Sequence, residues 1–353
     1  MKIGIPRAMS FYNNYPFFYG FFSALGIEIV LSDKTTKKTL SFGSSLVVTE
    51  TCLPVKVFIG HVLNLLDKGV DKIFIPSIQS IAPKIYNCSK IRGLPDLVRN
   101  VVKRDFQIID ATLDKSEKNQ GFYQFLKESV APFGITDEKK IKKASKAGWK
   151  VYNNFHVMTA SGMDYKQAMN YALQGKVLIQ QNDKEYPISV ALVSHAYNIY
   201  DEGISMKIFD KLKGMDVKVY SSLQLRAEQM EEGINTLGTA AYWANEHEMT
   251  GAAGHYLKDN KIDGVITLTA FGCGPDSLML ERISRKSKQF NKPLLNLTID
   301  EHTGEAGFIT RLEAFVDMLY RKKRAKIINK INMDEAEYIP NTNFIQVDDE
   351  IKK

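Results

Sequence analysis

Three cysteines are the only thiols in the sequence, and each stands among residues that would present it in a loop. Cys52 lies in Glu50-Thr51-Cys52-Leu53-Pro54, Cys88 in Tyr86-Asn87-Cys88-Ser89-Lys90, and Cys273 in Phe271-Gly272-Cys273-Gly274-Pro275-Asp276. The count is odd and no close C-x-x-C pair exists, so neither a disulfide framework nor a redox dithiol is indicated. Three thiolates drawn from distant loops suit an iron–sulfur cubane, held by three of its irons with the fourth left open. Zinc is a rival, with His195 or His302 as a fourth ligand. The plainer alternative is three core cysteines, because free cysteine is often a buried apolar residue.

Cys52 and Cys273 each precede a helical pattern. Unpaired N–H groups at a helix start stabilise a thiolate, so depressed thiol pKa values are expected there. Gly272 and Gly274 would let the backbone approach an inorganic core, and Arg7 and Lys56 are the basic residues expected to help hold a cofactor. His195, Glu301 and His302 are candidates for acid and base roles, with turn capping as the alternative for all three. His61 reads as a helix-face histidine. There is no G-x-G-x-x-G after the first strand and no P-loop, so a nicotinamide dehydrogenase or a self-contained ATPase is unsupported.

Strands are expected at Lys2–Ile5, Glu28–Leu31, Ser45–Val48, Lys72–Ile75 and Phe106–Ile109, then at Ile188–Val193, Val217–Tyr220, Val265–Leu268 and Leu294–Ile299. Helical patterns intervene, the clearest being Val55, Phe58, Ile59, Val62, Leu63 and Leu66 behind Pro54. The expected organisation is an α/β domain over 1–113, a helical connector over 114–185, a second α/β domain over 186–332 and a polar tail over 333–353. Ligands of parallel α/β sheets bind beyond the carboxyl ends of the strands. All three cysteines, His195, Arg7 and the Asp300–Glu305 cluster fall at such ends, which predicts one cleft between the two units.

The 353 residues are 44% hydrophobic and 25% charged, a globular composition. No run of about 18 apolar residues is present, so no membrane span is expected. The start lacks secretory-signal features, which makes the cytoplasm the default location. The net charge of +7 is spread out and comes with no nucleic-acid motif. The basic run Arg321–Lys326 reads as the end of a helix starting near Thr310.

Several segments resemble one family. Lys2-Ile3-Gly4-Ile5-Pro6-Arg7-Ala8, Glu50-Thr51-Cys52-Leu53-Pro54-Val55-Lys56, Ser194-His195-Ala196-Tyr197-Asn198, Gly272-Cys273-Gly274-Pro275-Asp276-Ser277 and Asp300-Glu301-His302-Thr303-Gly304-Glu305 look like those of acyl-CoA dehydratase activase-related proteins. These are relatives of the 2-hydroxyacyl-CoA dehydratase catalytic subunits. The resemblance implies two Rossmann-like domains with a helical segment, and a [4Fe-4S] cluster on Cys52, Cys88 and Cys273. It further implies electron acceptance from a separate ATP-dependent activator and delivery to a CoA thioester or another hard-to-reduce substrate, as a dehydratase or reductase. A dimer is left open. The alternative is a non-catalytic module that binds a small anion or acts as a scaffold, with structural or zinc-binding cysteines.

Overall fold

The computed structural model describes residues 1–179, 184–238 and 243–337. In chain order the strands are β1 (Lys2–Ile5), β2 (Glu28–Leu31), β3 (Lys72–Phe74), β4 (Ser77–Ala82), β5 (Ile85–Tyr86), β6 (Gln107–Ile109), β7 (Thr112–Asp114), β8 (Ile188–Val193), β9 (Val217–Tyr220), β10 (Gly264–Ala270) and β11 (Leu294–Ile299). Two four-stranded sheets are wholly parallel, in the orders β2-β1-β3-β6 and β11-β10-β8-β9. Within each sheet the second, first, third and fourth strands lie side by side, so the two halves repeat one topology. The protein is therefore α/β, with two Rossmann-like parallel sheets.

The strands form where apolar and β-branched residues run together. In β10, Gly-Val-Ile-Thr-Leu-Thr-Ala is buried along its whole length between β8 and β11, as expected of a strand covered on both faces. Helices cover the sheets through one core that takes residues from both halves, among them Val55, Ile59 and Ile73 with Val190, Ile266 and Phe308. A second core is dominated by phenylalanine, where Phe17, Phe18, Phe21 and Phe22 of the helix Phe11–Ala24 meet Phe74 and Phe125.

Between the sheets lie the helices Phe122–Val130, Glu138–Ala160 and Tyr165–Leu173. The second and third are capped by Asp137 and Asp164, whose carboxylates accept first-turn N–H groups. Glu138–Ala160 packs on Phe11–Ala24 at a close crossing of Gly148 and Gly20. Tyr165 then reaches both halves, donating to the Tyr12 carbonyl at 3.0 Å and stacking on Tyr200.

Four expectations are corrected. Ser45–Val48 is not a strand. A helix occupies Lys37–Ser45, started by a Thr36/Thr39 capping box, and a turn follows it. That helix crosses Leu53–Asp67 where Gly43 faces the Lys56 carbonyl and Gly60 faces the Thr39 carbonyl, and a Cβ at either glycine would overlap that backbone. Secondly, an unexpected third sheet, β5-β4-β7, pairs the hairpin β4–β5 with β7 and carries Cys88 on its exit. Thirdly, the helices Ala227–Leu237 and Ala244–Lys258 lie between β9 and β10, where the sequence pattern places no element. Fourthly, the last helix runs from Glu305 to Glu337, so Arg321–Lys326 lies inside it, with Lys323 paired to Asp263 at 3.1 Å. The expected polar tail begins within this helix and lies outside the described residues from 338 on. Among the described residues no helix is long and apolar enough to cross a membrane.

Candidate functional site

All three cysteines line one cavity, together with His195, Tyr197, Trp243, Lys90, Met9 and Asp276. Its position follows from local structure. Cys52, Cys88 and Cys273 are each the residue before a helix, with extended backbone conformation, and so is His195. Four helix starts thus point their partial positive ends at one place. Cys52 and Cys88 come from the N-terminal half, and Cys273 and His195 from the C-terminal half. His195 and Cys273 follow β8 and β10, the neighbouring strands at which strand order reverses. Gly272 makes the close join between the halves. It adopts φ +79°, and a Cβ there would sit 3.1 Å from the Glu50 carbonyl oxygen. The lining atoms are tight: about 20 Å³ is open to water, which is room for about one molecule.

His195 and Asp276 form the polar pair of this cavity, with Nε2 2.7 Å from Oδ1 and both side chains buried. Burial alone pushes the histidine down, but the charge and hydrogen bond of Asp276, with Glu248 behind, leave its pKa raised. His195 Nδ1 is buried with no hydrogen-bond partner, and the Asp276 carboxylate also accepts from the Cys273 thiol.

The expected depression of the thiol pKa values is corrected. Burial raises Cys52, Cys88 and Cys273, and the Asp276 carboxylate adds to each. N–H groups of the helix starts oppose this, from Val55 at Cys52, from Ile91 and Lys90 at Cys88, and from Asp276 at Cys273, and they are outweighed. Without a cation, all three sulfurs are therefore neutral thiols at neutral pH.

Other predicted residues lie elsewhere. Lys56 is buried to 2% exposure, donates to the Thr49 carbonyl at 2.8 Å and pairs with Glu301, which ties the helix after Cys52 to the loop after β11. That pairing holds Glu301 below the usual carboxylate range although burial opposes it. His302 is exposed, its main-chain N–H given to Asp300 in a capped turn. The Arg7 guanidinium lies 5.9 Å from the Phe11 ring, with its Nε buried and unpartnered. Gly274 opens the helix Gly274–Gln289, with open space where a Cβ would stand. His61 joins a buried chain across the halves. The Thr35 hydroxyl donates to Asp201 at 2.5 Å, and His61 Nε2 lies 2.9 Å from that hydroxyl. Thr35 has one proton to give, so Nε2–H donates to it, and the unpartnered Nδ1 stays bare. Tyr197 belongs to the polar-aromatic loop after His195 that the sequence offers as a ligand-site lining, whereas Asp276 and Trp243 carry no such expectation. The signal available for Asp276 was its place as third residue of the helix behind Cys273. Another concavity, of about 730 Å³, is an open polar groove along the edge strand β9 that contains none of the predicted site residues. The cysteine cavity is smaller, but it holds the reactive groups.

Residues 2–224 match the family model described as CoA enzyme activase uncharacterised domain. The chain belongs to that family. No curated protein matches it. Membership ties the chain to CoA enzyme activases. It also overturns the expected dehydratase-type role of accepting electrons from a separate activator, because the family is described as an activase. The zinc alternative is corrected as well. Among the described residues no group of three or more His, Cys, Asp or Glu side chains stands close enough to hold a metal ion. His302 is exposed at the surface, and His195 Nε2 is committed to Asp276.

Proposed function

We propose that this chain serves in the activation of a CoA-dependent enzyme and that its three-cysteine cavity holds a [4Fe-4S] cluster for that task. The observation that carries the reading is the gathering of Cys52, Cys88 and Cys273, from both halves of the chain, at three helix starts around one cavity. The donor set fits. Thiolates are the ligands iron–sulfur groups favour, and a group with several irons is held at separated corners, not at one point. Gly272 brings main chain close without a side chain in the way.

In that arrangement the three cysteines hold the group, which when bound supplies one-electron chemistry. The N–H groups of Val55, Lys90, Ile91 and Asp276 face the sulfurs and favour their anionic form. Tyr197, beside His195 at 5.1 Å between ring centroids, is an aromatic part of the lining. Lys56 and Glu301 fix the helix behind Cys52 against the opposite half. Three free thiols are in keeping with a reducing, cytoplasmic setting.

The test is expression and purification without oxygen, followed by iron and sulfide analysis. The expected result is a brown protein with about four irons per chain, lost in Cys52→Ala, Cys88→Ala and Cys273→Ala. A protein that stays colourless after anaerobic reconstitution with iron and sulfide overturns the proposal.

A further inference from the structure

The basic run Arg321–Lys326 does not complement the end of a helix. Basic residues favour the dipole only in the last turn, and the helix Glu305–Glu337 continues for about three turns beyond Lys326. The fold divides the run instead. Arg321 and Arg324 are exposed, whereas Lys322, Lys323 and Lys326 line a cavity of about 200 Å³ beside the helix. The turns before β10 and β11 form its other walls and add Asp263 and Lys292. Four ammonium groups thus meet one carboxylate in the lining. Two of the four are engaged. Lys323 pairs with Asp263 at 3.1 Å, and Lys292 donates to the Asp259 and Ile262 carbonyls at 2.8 and 2.7 Å. Lys322 makes a long contact of 3.4 Å with the Asn291 carbonyl, and Lys326 has no partner among the described residues. Like charges at i, i+4 destabilise a helix, and Lys322 and Lys326 have that spacing on the cavity side. Lys292 registers the crowding. Burial lowers its pKa, the ammoniums of Lys326 and Lys322 add to the fall, and Asp259 and Asp263 offset part of it.

We infer that this cavity binds a diphosphate group, free or carried on a nucleotide or on CoA, through Lys322, Lys323 and Lys326. An ammonium is a compact charge with three donors, suited to phosphate oxygens. Several of one sign around a concavity focus the field and draw the opposite charge. A diphosphate carries enough negative charge to offset the excess in the lining, which a single carboxylate does not. The cavity has room for such a group with water around it. Phe290, Pro293 and Leu319 add apolar surface to the lining, on which the carrier of a diphosphate ester would rest. The site is separate from the cysteine cavity. Asp263 stands before β10 and Cys273 after it, so the strand Gly264–Ala270, about 20 Å long, lies between them. Diphosphate binding here does not depend on what the cysteines hold.

The test is isothermal titration of the full chain at low salt with inorganic pyrophosphate, ADP and CoA. It is repeated with Lys322→Gln/Lys326→Gln and with Arg321→Gln/Arg324→Gln, all folded by circular dichroism. Both double variants lose the same charge from the same stretch of helix, but only the first changes the cavity lining. The expected result is a single saturable site per wild-type chain. Its affinity should fall about tenfold or more in Lys322→Gln/Lys326→Gln and less than about twofold in Arg321→Gln/Arg324→Gln. Tighter binding of ADP or CoA than of pyrophosphate, with the excess lost in Phe290→Ala, assigns the site to a diphosphate ester. Pyrophosphate binding as tightly as either ester assigns it to the free anion. A wild type that shows no saturable binding of any of the three ligands overturns the inference. Equal weakening in the two double variants also overturns it, because it would mark general attraction to a basic helix.

Discussion

Replacing Lys56 by methionine tests whether a single ion pair holds the two halves in the arrangement that gathers the cysteines. Lys56 is buried, and its ammonium serves both Glu301 and the Thr49 carbonyl. Methionine fills most of the volume but leaves the carboxylate and the carbonyl without their donor. Breaking a buried pair from one side costs about 3–5 kcal/mol. The Glu301 side chain keeps 17% exposure and can recover some water, so the lower end, about 3 kcal/mol, applies. For a chain of this size, with a urea slope near 3 kcal/mol per M, the denaturation midpoint should fall by about 1 M. Glu301→Gln keeps an acceptor and should cost less, and the double variant Lys56→Met/Glu301→Leu should recover much of the loss. The pH dependence has a definite sign. Glu301 is held below its usual value of 4.5, so its contribution is present above that pH and is lost as pH falls through the lower folded value. The gap between wild type and Lys56→Met should therefore close in acid. A double-mutant cycle with coupling below about 0.5 kcal/mol, or a Lys56→Met midpoint unmoved, would refute the reasoning.

Further expectations concern other parts of the molecule. Burial lowers the His61 pKa to about 3, so the unfolded chain takes up a proton below pH 6.5 that the folded chain refuses. Stability should thus fall by about 1.4 kcal/mol per pH unit from 6.5 toward 3 on account of this residue, a slope that His61→Gln should lack in acid titrations of unfolding. Gly43→Ala and Gly60→Ala should each destabilise the protein by about 3 kcal/mol or more, read by thermal or urea unfolding, because the new methyl meets backbone that cannot step aside. In metal-free protein at pH 8, iodoacetamide should label Cys52, Cys88 and Cys273 far more slowly than in urea, with Cys273 slowest, as mass spectrometry would record. Rapid labelling of the folded protein would show that the thiols are neither buried nor protonated as described.

The parallel sheets were legible because their strands are continuous apolar runs, and Ile188–Val193 and Leu294–Ile299 match the structure to the residue. The rule that sites form beyond strand ends holds for Cys273 and His195, which follow β10 and β8, whereas Cys52 follows a helix and a turn and Cys88 follows the small third sheet. Leu46–Val48 misled because a short apolar stretch cannot distinguish a strand from the end of a helix, and the deciding contact, Gly43 on Lys56, is long-range. The strands β4 and β7 were missed because Ser77, Gln79, Ser80, Thr112 and Asp114 give them no apolar alternation to follow. The direction of the thiol pKa values also escaped the sequence. Helix starts were visible, but the depth of burial and the approach of Asp276 are products of the assembled fold. For the same reason the Lys56–Glu301 and His195–Asp276 pairs, separated by 245 and 81 positions, carried no local signal.

The two glycines that face carbonyls across the helices Lys37–Ser45 and Leu53–Asp67 bear on how this protein tolerates change over generations. Most helices are positioned by side chains, and every substitution in the packing layer nudges them. Here main chain rests on main chain, and the contact has no side chain to mutate. Neighbouring positions such as Phe42 and Leu46, both exposed, are free to drift without moving the helix that begins behind Cys52. Variation among relatives should therefore be wide around this crossing and nearly absent at Gly43 and Gly60, a contrast that sequencing further members of the family would expose.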